Sequence, residues 1–274
     1  MSSAPTAYVP SDLRRTILRM AYTGSTVHIA CAFSLVEILA VLYRKHLRLG
    51  SGPKDPQRDY LILSKGHGVM AQYACLHELG WLSEEHIKDY CTDGSKLKGL
   101  SDADVTGLEV NSGSLGHGLA VGAGLALGAL RRGTNQKVYA ILGDGECNEG
   151  SIWETLLFAS HFQLNNLLVI IDANGYQAMG PTAEIMNMGS LEQKFSAFGF
   201  ETSTIDGHDE ALLDDSISRL VASSFPGPRA LIARTVKGKG VSFMEGSNLW
   251  HYSRLNEKTY QDALAELDQA GARS

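Results

Sequence analysis

The sequence predicts an α/β fold, a doubly wound parallel sheet with helices on both faces, and three observations carry that prediction. Two uninterrupted apolar runs, Val138-Tyr139-Ala140-Ile141-Leu142 and Leu167-Leu168-Val169-Ile170-Ile171, have the composition of strands buried on both sides. The stretch between them reads as the crossover helix that two parallel strands require. Elsewhere helical and strand signals alternate, which implies a parallel sheet sandwiched by helices. A chain of 274 residues that is 44% hydrophobic can bury a large core. Residues 1–274 therefore read as one domain, with a helical N-terminal segment and a C-terminal arm.

Taken in order, Ser11 leads a helix to about Tyr22. Ser34-Leu35-Val36-Glu37 has the capping-box spacing, in which a serine hydroxyl and a carboxylate three residues on satisfy free backbone N–H groups, and it predicts a helix to about His46. Tyr60 to Leu63 is the first short strand. Helices follow at about 69–79 and, behind Ser83, to about Tyr90, before a glycine-rich turn at 113–118. Beyond that turn, 119–132 is small and apolar nearly all round, with Gly122, Gly124 and Gly128, which predicts a buried helix with close neighbours rather than a surface helix. Strands near 202–205 and 230–233, with a helix over 208–222 between them, continue the alternation. From about Glu245 the chain reads as a surface arm and a terminal helix.

Net charge is −6 with scattered basic residues, which argues against nucleic acid and against an anionic membrane surface. Residues Met1 to Pro10 lack a basic n-region followed by an apolar h-region, and no window reaches the roughly 18 to 20 apolar residues of a membrane span. A cytoplasmic protein is expected. Cys31, Cys75, Cys91 and Cys147 lack CxxC spacing and read as reduced, mostly packed thiols.

The chemistry sits where the two apolar runs end, in Gly143-Asp144-Gly145-Glu146 and in Asp172-Ala173-Asn174-Gly175. In a βαβ unit both strand ends open on the sheet edge where ligands of α/β folds bind, so Asp144 and Asn174, thirty positions apart, fall side by side. One carboxylate, one amide oxygen and a main-chain carbonyl, that of Tyr176, suit an octahedral Mg²⁺, or Ca²⁺ in its place, with room for two diphosphate oxygens. Gly143 and Gly145 let backbone N–H groups approach the anion. Gly-Asp-Gly alone is a turn; the asparagine after a second strand tips the reading toward a ligand site.

That pattern is similar to the thiamine diphosphate motif, and further stretches resemble the N-terminal domain of transketolases. They are Ser64-Lys65-Gly66-His67, Asn111-Ser112-Gly113-Ser114-Leu115-Gly116-His117-Gly118, Glu149-Gly150-Ser151-Ile152-Trp153-Glu154 and Thr235-Val236-Lys237-Gly238-Lys239-Gly240, in family order from about His28 to His251. The resemblance implies a thiamine diphosphate-binding fold and transfer of a two-carbon ketol or acyl unit from a ketose-type donor to an aldehyde-type acceptor. It implies that Gly113 and Leu115 line the thiazolium and pyrimidine faces, that Gly145 offers its N–H to the diphosphate, and that Glu149 reaches toward a subunit interface; at the head of a helix, Glu149 also reads as an ordinary surface carboxylate. His67, His28 and His251 correspond to family active-site histidines, although Thr26-Val27-His28-Ile29-Ala30 stands where Gly-His-Pro-Gly is usual. His117 either contacts the cofactor or caps the turn. His77, His86, His161 and His208 read as structural or exposed, Asp172 as a brace for its loop, and Lys237 and Lys239 as anion-steering or solvated.

One departure falls at Lys98-Gly99-Leu100-Ser101, where Leu100 takes the place of a family histidine. Losing a matched polar partner costs about 1 to 3 kcal/mol, so either an unusual donor or a polar group from a neighbouring loop is implied. Thiamine diphosphate is activated by a glutamate against its pyrimidine ring, which in transketolases belongs to a second domain that this chain does not reach. A split enzyme is therefore expected, with a partner subunit carrying the pyrimidine-binding and C-terminal domains in an α2β2 assembly. Two other readings stand beside it: the α subunit of a 2-oxo acid dehydrogenase, and a non-catalytic thiamine diphosphate-binding module.

Overall fold

The computed structural model describes residues 7–271; residues 1–6 and 272–274 of the expected single domain, and most of the N-terminal stretch read for a leader, lie outside the described residues. Five parallel strands form the central sheet: β1 (Tyr60–Leu63), β2 (Val138–Gly143), β3 (Leu167–Ala173), β6 (Glu201–Asp206) and β7 (Arg229–Arg234), in the order β1-β2-β3-β7-β6. A two-stranded antiparallel hairpin, β4 (Tyr176–Gln177) and β5 (Gly180–Pro181), follows β3. The apolar runs are strands because successive side chains serve opposite faces and both faces are covered. Leu61, Tyr139, Ile141, Leu168, Ile170 and Leu231 enter one core with α1 (Pro10–Thr23), α2 (Ile29–Phe33), α3 (Val36–Val41), α4 (Val69–Glu78), α10 (Glu210–Ala222) and α11 (Glu257–Gly271). Ile62, Val138, Ala140, Leu167, Val169 and Ala230 enter the other with α6 (His117–Arg131), α7 (Gly150–His161) and α9 (Leu191–Ala197). Among the described residues, no helix is long and apolar enough to cross a membrane.

Several local readings are corrected. Helix α1 begins at Pro10 behind Val9 rather than at Ser11, because proline at the first helical position sacrifices an N–H that has no helical partner. The Ser34–Glu37 capping box does not form. Ser34 Oγ donates to Asp172 Oδ2 at 2.7 Å, and Glu37 accepts from Arg14 and lies 2.9 Å from His208 Nδ1. Buried charge thus overrides helix capping, and the helix breaks into α2, α3 and a π-turn at Leu42–His46. Behind Ser83 the capping box is real, closed by His86, on the short α5 (Glu84–Lys88). The short α8 (Thr182–Ile185) and α9 lack the length to show a period in the sequence.

Helix α6 is covered on one face only. A Cβ at Gly118 would stand 2.6 Å from the Ser64 backbone, so the glycine is needed for this helix to seat against β1, whereas Ala120, Val121 and Gly124 face outward. The sheet supplies a neighbour on one side, and nothing in the described chain supplies the other.

Asp172, fully buried at the tip of β3, ties the site edge together. Its Oδ2 accepts from Lys65 Nζ at 2.5 Å, Ser34 Oγ at 2.7 Å and Asn174 Nδ2 at 3.0 Å, and its Oδ1 accepts from the Thr235 hydroxyl. One carboxylate therefore joins the segments after β1, β3 and β7 to the α2–α3 junction. Asp172→Ala should destabilise the chain by about 3 to 5 kcal/mol by stranding buried Lys65, and Lys65→Met combined with Asp172→Leu should recover most of that loss. Urea melts of the four variants in this cycle test it; a coupling near zero would contradict the hub.

Burial pushes the Glu37 carboxyl up, but His208 and Arg14 outweigh it and hold it at about 2. A depressed carboxyl stabilises above its unfolded value and loses that contribution as it is protonated in the fold. Stability should therefore decline as pH falls from about 4.5 toward 2, and Glu37→Gln should flatten that acid limb in thermal melts.

Candidate functional site

The parallel register sets Gly143 beside Asp172, so the turns that follow β2 and β3 emerge at the same edge. There a cavity of about 270 Å³ is lined by residues from six segments, Asp144, Gly145, Asn174 and Tyr176 on one wall and His28, His67 and His251 on another. Gly113, Leu115 and Leu100 complete its apolar side. A second cavity of about 250 Å³ lies near Val138 and Leu167, at the opposite ends of the strands, away from the edge where α/β sheets bind ligands.

Asp144 is nearly buried, and each oxygen accepts one backbone N–H, Oδ1 from Gly145 at 2.8 Å and Oδ2 from Gly175 at 2.7 Å. Burial and then the nearby Asp172 charge push its carboxyl up to about 6. Lys65, the neighbouring cation, is committed to Asp172. Among the described residues, Asp144 is thus a buried carboxylate without a cation of its own. Asn174 donates through Nδ2 to Asp172 and accepts at Oδ1 from Tyr176 N–H at 3.1 Å. Glu146 faces away from ligand duty: Oε1 accepts from Ser64 Oγ at 2.5 Å and Gly116 N–H at 2.8 Å, and Oε2 from Gly143 N–H at 3.1 Å.

These residues fit a magnesium-bound diphosphate. The under-compensated Asp144 carboxylate and the amide of Asn174 are oxygen donors of the class Mg²⁺ takes. A Cβ at position 145 would stand 2.7 Å from Gln177, so only glycine leaves that cradle open, and Gln177 Nε2 is buried there without a partner among the described residues.

The three imidazoles form a cluster, with ring centroids 5.2 Å apart for His28–His67 and His28–His251 and 5.8 Å for His67–His251. Burial lowers all three, with Lys65 next for His67 and Lys237 next for His251, which falls to about 3. They are neutral near pH 7 and can accept or relay a proton. His28 is held in the left-handed region at φ 70°, a conformation that accumulates at functional sites.

Two predicted residues lie elsewhere. His117 is exposed at the first position of α6, and Glu149 is exposed at the head of α7; neither lines the cavity. Three groups at the site lie beyond what the sequence showed: Lys65, Cys31 and Lys237. Lys237 is neither solvated nor free to steer, being 1% exposed with Nζ 2.7 Å from His251 Nδ1. Its loop is pinned beneath α2 by Gly238 N–H donating to the Ala30 carbonyl. Lys65 stands within the Ser-Lys-Gly-His signal, whose histidine is the stronger marker of chemistry, and Cys31 carries no signal.

The family model for the thiamine diphosphate binding domain of transketolase matches residues 18–268. The first-named of the apulose-4-phosphate transketolase subunits of Phocaeicola vulgatus is 36% identical over 259 residues, covering 93% of this chain and 91% of that protein. The 6-deoxy-6-sulfo-D-fructose transketolase subunit SqwG of Clostridium sp. is 36% identical over 247 residues, covering 89% and 90%. Among solved structures, transketolase from Campylobacter jejuni superposes with a TM-score of 0.88 at 29% identity, covering 97% of this chain and 43% of that one. Given a family match across most of the chain, relatives of similar length, and a cavity at the carboxyl ends of β2 and β3, this chain belongs to the transketolase family and carries its thiamine diphosphate-binding domain.

Proposed function

We propose that this chain is the N-terminal subunit of a two-subunit transketolase that transfers a two-carbon ketol unit from a ketose-type donor to an aldehyde-type acceptor. The single observation that carries the reading is the convergence of Asp144, Asn174 and Gly145 with a wall of three neutral imidazoles in one cavity. Asp144, Asn174 and the Tyr176 carbonyl would hold Mg²⁺, and the Gly145 N–H and Gln177 amide would meet the diphosphate. When bound, thiamine diphosphate supplies the electron sink for cleaving the bond beside a ketose carbonyl.

The chain's own residues then orient the substrate and move its protons. His28, His67 and His251 are unprotonated near neutrality, so each can accept a hydroxyl proton from the donor and return one to the acceptor's carbonyl oxygen. Lys237 donates to His251 Nδ1, which fixes that ring and leaves Nε2 to face the substrate. Leu100, 44% exposed beside Gly113, offers an apolar face where a histidine would bond a donor hydroxyl, which favours donors lacking a matched hydroxyl there. A partner subunit is supported by apolar side chains left open on α6 and α7, Val121, Leu157 and Phe158, and by relatives that are themselves named as one subunit of a transketolase. An α2β2 assembly in the cytoplasm is the form we expect.

Asp144→Ala should weaken Mg²⁺-dependent thiamine diphosphate binding by about 2 to 5 kcal/mol, roughly 30-fold or more, and calorimetry of the chain with its partner reads it. Unchanged affinity would remove Asp144 from the site. His67→Ala should leave that affinity within a factor of about two while lowering kcat by about 100-fold or more. The full chain alone, given Mg²⁺, thiamine diphosphate and donor sugars, should turn over nothing until the partner is added; robust turnover by the lone chain would contradict the two-subunit reading.

A further inference from the structure

The oxygen donors leave the other wall of the cavity unexplained, and there nitrogen and sulfur converge. His28, Cys31 and His251 each offer a ligand atom, and these atoms all lie within 4.8 Å of one another. Cys31 Sγ is 3.6 Å from His251 Nδ1. A tetrahedral site with Zn–S of about 2.3 Å and Zn–N of about 2.0 Å has an S···N edge of roughly 3.5 Å, so this pair already stands at the right separation. His28 Nδ1 is buried without a hydrogen-bond partner among the described residues, a state that costs free energy until a donor or cation meets it. His28 and Cys31 are three residues apart at the start of α2, a spacing that brings both to one side.

Imidazole and thiolate ligands select borderline-soft cations, whereas the carboxylate and amide of Asp144 and Asn174 suit hard ones. We propose that His28, Cys31 and His251 form a second cation site, specific for Zn²⁺-class metals, with three protein ligands and a fourth coordination position open to the cavity. The Cys31 thiol forms the metal–sulfur bond by losing its proton to solvent. Lys237 Nζ, 2.7 Å from His251 Nδ1, withdraws as the metal takes that nitrogen. Because His28 and His251 also face the substrate space, an occupied site would inhibit ketol transfer; that consequence rests on the function proposed above, and the metal site does not.

The test is a titration of Co²⁺, a spectroscopic substitute for Zn²⁺, into the full-length reduced chain without cofactor or substrate. One equivalent should raise a thiolate-to-cobalt charge-transfer band that Zn²⁺ bleaches. The band should be absent in Cys31→Ser, weakened more than about 100-fold in affinity in His28→Gln, a larger loss than removing a supporting partner causes, and retained in Cys91→Ser and Lys237→Met. No thiolate band in the native chain, or one that survives Cys31→Ser, overturns the assignment. X-ray absorption of the Zn²⁺-loaded native chain gives a readout independent of any variant's folding: one sulfur and two imidazole nitrogens support the site, and a sulfur-free shell overturns it. None of these readouts depends on turnover, so their failure is separate from failure of the transketolase reading.

Discussion

The buried ion pair between Lys65 and Asp172 is the constraint on which the working edge of this protein depends. Both side chains are almost entirely removed from water, 2% and 0% exposed, and a charge in that position is tolerable only with its partner and hydrogen bonds in place. The Ser34 and Thr235 hydroxyls and the Asn174 amide supply those bonds. Satisfying one carboxylate thus dictates where four chain segments end, and the cavity is the space they leave.

The same pair divides labour between two acidic groups at adjoining strand tips. Asp172 takes the lysine that reaches the site from the end of β1, and although burial pushes its carboxyl up, that lysine outweighs burial and holds it low. Asp144, with backbone N–H partners but no cation among the described residues, is pushed the other way. Opposed shifts in neighbouring carboxylates mark different roles: one is internal structure, the other is held ready for a cation from outside. Asn174 belongs to both, since the amide that braces Asp172 orients the oxygen end of the same side chain.

Across the cavity, polarity changes character. Neutral imidazoles, a thiol and a desolvated lysine face the oxygen donors. Such a surface suits proton transfer on an uncharged substrate fragment, while the opposite wall suits charge. Leu100 interrupts the polar lining with a methyl-bearing face, and that contrast is where substrate choice is decided.

Much of this was legible in the linear chain. The strand runs, the thirty-residue interval from Asp144 to Asn174 and the alternation of elements each depend on local composition and on a parallel register that short crossovers enforce. What the sequence could not express were choices between competing partners. Ser34 and Glu37 had a good local use as a capping box and were drawn instead to Asp172, Arg14 and His208, because leaving a buried charge unpaired costs more than losing a cap. Lys237 read as solvated until the loop folded under α2, and Cys31 acquired neighbours only when a segment 220 positions away brought His251 beside it. The chain by itself determined the sheet, its ligand edge and the diphosphate-binding pair; the tertiary structure alone decided which buried charges hold the fold and which remain for a ligand, since electrostatic free energy depends on distance in space and not along the sequence.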